Sequence, residues 1–261
     1  VRKIKASNLN RGLVGAWCPS VSGSGLLLPD LSGYGNHGTL TNMDASDWVG
    51  TNKGRALDFD GTNDFIITPT AFALPPSGSS AQLTLSCWIY PRAETIQLYF
   101  SVGTSGGSFI YLAYRPDVLA SGTFGGNLKR FVWNADGSVQ VAYSNDQPTL
   151  NQWYHLCGRI STNSVSLYVD GIFQSLSVNS VSFNASQSRL MASATGTFSA
   201  NAIADDFRAY NRALSPSEIK QLYEGGPGYG LRQERKRTRI QVQGFNAGRY
   251  RRQQLIGTGV Y

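Results

Sequence analysis

The stretch from Asn151 to Val178 limits the architecture of this chain more than any other. Val165, Leu167 and Val169 alternate with polar or amphipathic residues, the period of two that sets one apolar face on a pleated strand. Asp170-Gly171 follows, a pair suited to the two positive φ angles of a tight hairpin turn, and Ile172, Leu176 and Val178 resume the apolar face. Trp153 to Ile160 reads as a strand entering from the other side of a turn at Ser161 to Ser164. The centre of the chain is therefore expected to be an antiparallel meander of sequence neighbours.

The same grammar recurs on both sides. Leu83, Leu85, Cys87 and Ile89 share one parity of a strand that Pro91 ends, because proline has no N–H for the ladder. Further strands are expected at Gly12–Trp17, within Gly54–Gly61 (Leu57 and Phe59 on one face, the turn at Asp60-Gly61), starting at Phe65 and Ile67, and at Ile96–Val102, Ser108–Tyr114, Leu128–Trp133, Val139–Tyr143, Arg189–Ala194 and Ala202–Tyr210. A hairpin turn is expected at Asn134 to Ser138. Short strands separated by turn residues at this spacing point to a sandwich and not to βαβ units. One helix is signalled. Ser215 suits the N-cap, Pro216 the first helical position and Glu218 the third, completing a capping box, and Gly225-Gly226-Pro227 stops it. Three well-separated cysteines, Cys18, Cys87 and Cys157, cannot all pair internally, and Cys87 reads as a buried hydrophobe.

Charge divides the chain. Residues 12–226 carry 11 basic and 15 acidic side chains, net −4, whereas residues 227–261 carry 8 basic side chains against Glu234 alone, net +7. Residues 1–11 are basic as well, with Arg2, Lys3, Lys5 and Arg11. The expected organisation is a basic N-terminal arm over 1–11, a sandwich over 12–226 and a basic C-terminal arm over 227–261. The basic start is followed by no apolar core of a secretory leader, and no run is long enough to span a bilayer.

Seven phrases, in order, resemble the laminin-G-like, concanavalin-A-like family of jelly-roll sandwiches. They are Gly12-Leu-Val-Gly-Ala-Trp17, Asp30-Leu-Ser-Gly-Tyr-Gly-Asn-His-Gly38, Ala56-Leu-Asp-Phe-Asp-Gly61, Leu83-Thr-Leu-Ser-Cys-Trp-Ile89, Trp153-Tyr-His-Leu156, Leu167-Tyr-Val-Asp-Gly171 and Asp205 through Ile219. The resemblance implies an all-β fold of two antiparallel sheets packed face to face, with one short helix after the last strand. It also implies edges and loops that bind glycans or protein partners, sometimes with calcium. The ending Arg251-Arg-Gln-Gln-Leu-Ile-Gly-Thr-Gly-Val260 is similar to endings of phage structural proteins and related bacterial proteins.

Glycoside hydrolysis by relatives of this sandwich uses paired carboxylates about 5 Å apart. Residues 12–226 hold only Glu94, Glu218 and Glu224, none paired on a strand, and adjacent Asp205 and Asp206 are expected on opposite faces, so no enzyme is expected. His37 and His155 lack zinc-ligand spacing. Calcium takes hard oxygen ligands, for which Asp30, Asp58, Asp60, Asp64 and Asp206 are the candidates. The ordinary alternative is that Asp30, Asp60 and Asp64 bond their own turn backbones. Gly33 to Gly38 matches a dinucleotide fingerprint in letters alone, since no helix follows it. Tyr34, Trp48, Trp133 and Tyr143 lie near turns and are candidates for a sugar-stacking platform, with core packing as the competing role.

The tail has three readings: a nucleic-acid footprint, a lipid-headgroup contact, or an arm threading between subunits. Its residues would be Arg232, Arg235, Lys236, Arg237, Arg239, Arg249, Arg251, Arg252, Leu255, Ile256 and Tyr261. The third reading accounts best for the apolar ending and the acidic body. The leading expectation is thus a phage-like virion component, a capsid decoration or minor capsid protein. It would be anchored by its arms to a major capsid protein or to copies of itself, and would present the sandwich to a host-surface glycan. The alternatives are an extracellular bacterial carbohydrate-binding module and a nucleic-acid-associated packaging factor.

Overall fold

A computed structural model describes residues 8–69, 82–103, 109–120, 122, 124–134, 141–162, 164–178, 187–193 and 196–231. The strands of its first half are β1 (Leu13–Trp17), β2 (Leu27–Leu28), β3 (Gly38–Thr41), β4 (Trp48–Thr51), β5 (Gly54–Asp60), β6 (Phe65–Thr68), β7 (Leu83–Pro91) and β8 (Gln97–Gly103). Those of the second half are β9 (Phe109–Val118), β10 (Leu128–Asn134), β11 (Val141–Tyr143), β12 (Tyr154–Ser161), β13 (Ser164–Val169), β14 (Ile172–Val178), β15 (Gln187–Leu190) and β16 (Asn201–Tyr210). A single α-helix among the described residues, α1 (Pro216–Gly225), follows.

The strands form two antiparallel sheets. The first has the order β14-β13-β12-β7-β16-β5-β4, with β1 also pairing β16, and the second has the order β11-β10-β9-β8-β15-β6-β3-β2. The expected meander is present, with Leu156 opposite Val169 across β12 and β13 and Val169 opposite Ile172 across the hairpin. Asp170 and Gly171 both take positive φ, 51° and 73°, which is the turn chemistry the Asp-Gly pair supplies. The expected turn at Asn134 to Ser138 falls largely outside the described residues.

Leu83, Leu85, Cys87 and Ile89 of β7 face the second sheet in one buried cluster with Tyr99, Phe100, Leu112, Phe131 and Trp133. Trp133 is fully buried there. A side chain at Gly158 would put its Cβ 2.2 Å from Trp133 Cδ2, so glycine at 158 is what lets the indole lie flat on β12. The platform role expected for Trp133 is therefore corrected: its ring is core. All three cysteines are free and buried.

A second cluster lies on the outer face of the first sheet, where α1 docks. Leu9, Leu13, Cys18, Tyr210, Ile219, Leu222 and Leu231 pack together, so the packed body reaches past the boundaries expected at 12 and 226. The helix begins as its sequence predicts. Glu218 N–H donates to Ser215 Oγ (3.3 Å), and Ser215 N–H donates to Glu218 Oε2 (2.8 Å). Arg212 grips both oxygens of Glu218 and holds that carboxyl down at about 2. Ser215→Ala is expected to cost about 1 kcal/mol, read as a lower midpoint of urea unfolding.

The last strand departs from simple alternation. β16 pairs β7 with a register break between Asp205 and Arg208, where Asp206 takes φ 52°. The extra residue resets the parity, so Ala204 and Phe207 both face the inter-sheet core. Asp205 and Asp206 consequently lie on the same outer side, which corrects the expectation of opposite faces. Asp205 Oδ1 accepts from Ser20 N–H (3.3 Å), Cys18 Sγ (3.4 Å) and Asp206 N–H (2.7 Å). Asp206 pairs bidentately with Arg208 (2.8 and 2.7 Å) and also accepts from Gly228 N–H (2.9 Å).

Candidate functional site

Trp88 and Tyr90 occupy the parity of β7 opposite to its core residues and so point outward. Trp88 forms a floor. Its ring stacks on Tyr223 of α1 at 5.7 Å and 20°, Lys53 Nζ lies 4.3 Å over its centroid, and the His155 ring sits 5.3 Å away. Tyr90 meets Trp153 edge-on at 5.8 Å. Around these rings opens a cleft of about 600 Å³, lined further by Asn52, Asn151, Gln152, Asp170 and Ile203.

Local chemistry places each wall. Lys53 sits in the tight turn between β4 and β5, where Lys53 N–H donates to Thr51 Oγ1 at 3.1 Å. Asn151, at φ 61°, turns the chain into β12 and donates its N–H to Pro91 O (2.8 Å), which sets Trp153 beside Tyr90. Asp170 clamps the hairpin tip: its N–H donates to His155 O and its Oδ1 accepts from His155 N–H, both at 2.8 Å. Burial raises the Asp170 carboxyl, opposed by that backbone bond and by the Lys53 charge. Burial pushes the His155 imidazole down to about 3, so the ring beneath the cleft is neutral.

Tyr223 and Trp153 are half-buried, as are Tyr90 and Lys53, while Asn52, Asn151 and Gln152 are exposed. Half-exposed aromatic faces beside amide donors and acceptors offer apolar contact and directed hydrogen bonds to one ligand. Among the described lining residues Asp170 is the only carboxylate.

The residues singled out in the sequence lie elsewhere. Asp30 accepts from Ala16, Ser32 and Asn36 N–H groups (2.9, 2.9 and 3.0 Å) and organises the loop before β3. Asp60 accepts from Thr62 N–H (2.6 Å) and Asp64 from Asp60 N–H (3.0 Å), the turn-closing alternative. Asp206 is taken by Arg208. Asp60 and Asp64 meet in one turn, but Asp58 pairs with Arg92, and Asp30 and Asp206 lie in other parts of the fold. The described residues contain no cluster of three or more His, Cys, Asp or Glu side chains able to hold a metal.

The aromatic candidates do not converge either. Trp48, with Arg55 over its ring at 4.5 Å, is on the edge strand β4 of the first sheet, and Tyr34 is exposed in the loop at Ser32–Gly35. Tyr143 is on β11, at the other edge of the molecule, where its backbone N–H donates to Ser175 Oγ of β14 (2.7 Å). The tail residues Arg232, Arg235, Lys236, Arg237, Arg239, Arg249, Arg251, Arg252, Leu255, Ile256 and Tyr261 lie outside the described residues, as do Arg2, Lys3 and Lys5. The dinucleotide-like letters at Gly33 to Gly38 run into strand β3, which confirms that they open no helix. No helix among the described residues is long and apolar enough to cross a membrane.

Two eight-stranded antiparallel sheets, a short docked helix and an aromatic cleft define the class: a jelly-roll sandwich of the concanavalin-A type. The family model described as the concanavalin A-like lectin/glucanases superfamily matches residues 59–220, and the chain belongs to that family. A search of curated protein sequences returns no match. Among solved structures, domain 4 of an extracellular arabinanase from Geobacillus stearothermophilus, in complex with arabinotriose, is similar with a TM-score of 0.58 at 20% identity. That match covers 80% of this chain and 97% of the domain. The binding domain of Paraclostridial mosquitocidal protein 1 gives 0.60 at 16% identity, covering 82% of this chain and 52% of that one. The binding domain of botulinum neurotoxin serotype G gives 0.59 at 14% identity, covering 81% and 50%. The chain therefore spans about half the length of the two toxin domains, and at these identities the likeness is one of fold.

Proposed function

We propose that this protein is an extracellular carbohydrate-binding domain and that the cleft around Trp88 holds the sugar. The carrying observation is the set of half-exposed rings, Tyr90, Trp153 and Tyr223, standing over the buried Trp88 floor beside Asn52, Asn151, Gln152 and Asp170. Sugar C–H faces pack on aromatic rings, and hydroxyls take bonds from amides and carboxylates. The arabinanase domain of the same fold, in complex with arabinotriose, supports the ligand class.

Binding without catalysis is the reading the cleft favours. Glycoside cleavage needs an acid and a second carboxylate across the scissile bond, and here Asp170 stands alone, held by His155 N–H. The particle-anchoring reading rests on tail residues outside the described part, and the cleft offers it no support.

Trp153→Ala is expected to weaken binding of arabino-oligosaccharides about tenfold while leaving the unfolding midpoint nearly unchanged, because the ring is half-exposed. Isothermal titration of wild type and variant checks this. Equal affinities for the two proteins would remove the cleft from consideration.

A further inference from the structure

A second cleft, of about 310 Å³, opens beside the first and shares Gln152 and Asp170 with it. It lies between Phe131 and Tyr154 on one side and Ile172 and Gln174 on the other, at the mouth between the two sheets. We propose that the two clefts form one groove that takes a glycan of several units, with the sugar chain crossing the rim made by Gln152 and Asp170. This rests on the glycan reading of the first cleft and specifies the ligand as an oligosaccharide.

The order of the lining residues carries the argument. Gly50 is on β4, Lys53 in the turn to β5, Ile203 on β16, Trp88 on β7, Tyr154 on β12, Val169 on β13 and Gln174 on β14. That sequence of strands is the spatial order of the first sheet from one edge to the other. Trp88, Tyr90 and Ile203 line the first cleft from the outer face of that sheet, and Tyr154 and Val169 line the second from its inter-sheet side. A ligand filling both therefore bends over the end of the sheet at Gln152 and Asp170 and needs more than one sugar ring.

The second cleft also has the chemistry of a subsite. Ile172 is 66% exposed, an apolar surface with no core to serve. Gln174 is fixed by both ends of its amide, accepting from Asn145 N–H (3.0 Å) and donating to Ile172 O (3.2 Å). Gln152 is likewise set in place by donating to the Tyr154 hydroxyl. Oriented amides beside an exposed apolar side chain repeat, on a smaller scale, the pairing found around Trp88.

The test is a titration of the full chain with arabino-, xylo- and cello-oligosaccharides of one to six units. In the series that binds, the Kd is expected to fall about tenfold or more between two and five units and then level off. The double variant Ile172→Ala/Gln147→Ala, altered at two exposed positions of the second cleft, is expected to abolish that gain with length. Equal affinity of wild type for two-unit and five-unit chains would overturn the long groove and leave the first cleft as a short site. Failure of every series to bind would overturn the glycan reading and the groove together.

Discussion

Arg208→Met is expected to lower the free energy of unfolding by about 3–5 kcal/mol, because it leaves a carboxylate buried without its counter-charge. Arg208 and Asp206 are 2% and 4% exposed at the side chain, and their two parallel bonds leave no room for solvent to replace either partner. Without the guanidinium, Asp206 keeps only the Gly228 N–H as a donor. The double variant Arg208→Met/Asp206→Asn removes both charges together, and asparagine tolerates the positive φ at 206. It is expected to recover to within about 1–2 kcal/mol of wild type. Urea unfolding of the three proteins decides the matter. A cost below about 1 kcal/mol for Arg208→Met would mean that water reaches the pair.

Acid should act in opposite directions on two variants of the same outer face. The unfolded chain protonates His155 near 6.5, whereas the buried ring stays neutral down to about 3. Its contribution is therefore present above 6.5 and lost as pH falls, by about 3 kcal/mol at pH 4. Asp205 runs the other way. Burial, and then the charge of Asp206, raises its folded carboxyl to about 7 from an ordinary 3.8, so its contribution is fullest at low pH and lost as pH rises through 7.

In wild type these two slopes oppose each other between pH 4 and 7. Asp205→Asn retains an acceptor for Ser20 and Asp206 N–H and unmasks the histidine, so it should lose about 3 kcal/mol relative to wild type on going from pH 7 to 4. His155→Phe keeps a ring against Trp88 and should gain a comparable amount over the same range. Unfolding midpoints at three pH values measure both. Parallel pH profiles for all three proteins would show that neither group titrates as its burial implies.

Much of the fold was legible because its signals are local. The Asp170-Gly171 turn, the Ser215 cap and the core parity of Leu83 to Ile89 each need only neighbouring residues to be read. The errors came from distance. Trp133 stands beside a turn in the sequence, but its packing partner is Gly158, on a different sheet. Asp205 and Asp206 were set on opposite faces by alternation, which fails where a positive φ inserts one residue.

The cleft was half visible. The same alternation that buries Leu85 and Cys87 turns Trp88 and Tyr90 outward, and two aromatics on an outward parity are a signal for a site. Nothing local, however, shows that Lys53, Trp153 and Tyr223 come to meet them, since a hairpin turn, a loop and a helix must first converge.

The position of β16 bears on how the protein comes to be made. Among the described residues it is the last strand in sequence, yet it fills the middle of the first sheet, with β7 on one side and β5 and β1 on the other. During synthesis the earlier strands leave the ribosome with that central slot empty, and each carries an open edge of unpaired backbone groups. The sheet closes only after residue 210 has emerged, by contacts that span nearly the whole chain, the topology that folds slowly. A ribosome that stops before residue 201 therefore releases two sheet fragments with exposed edges, and such a product is a substrate for chaperones and proteases instead of a smaller version of the domain.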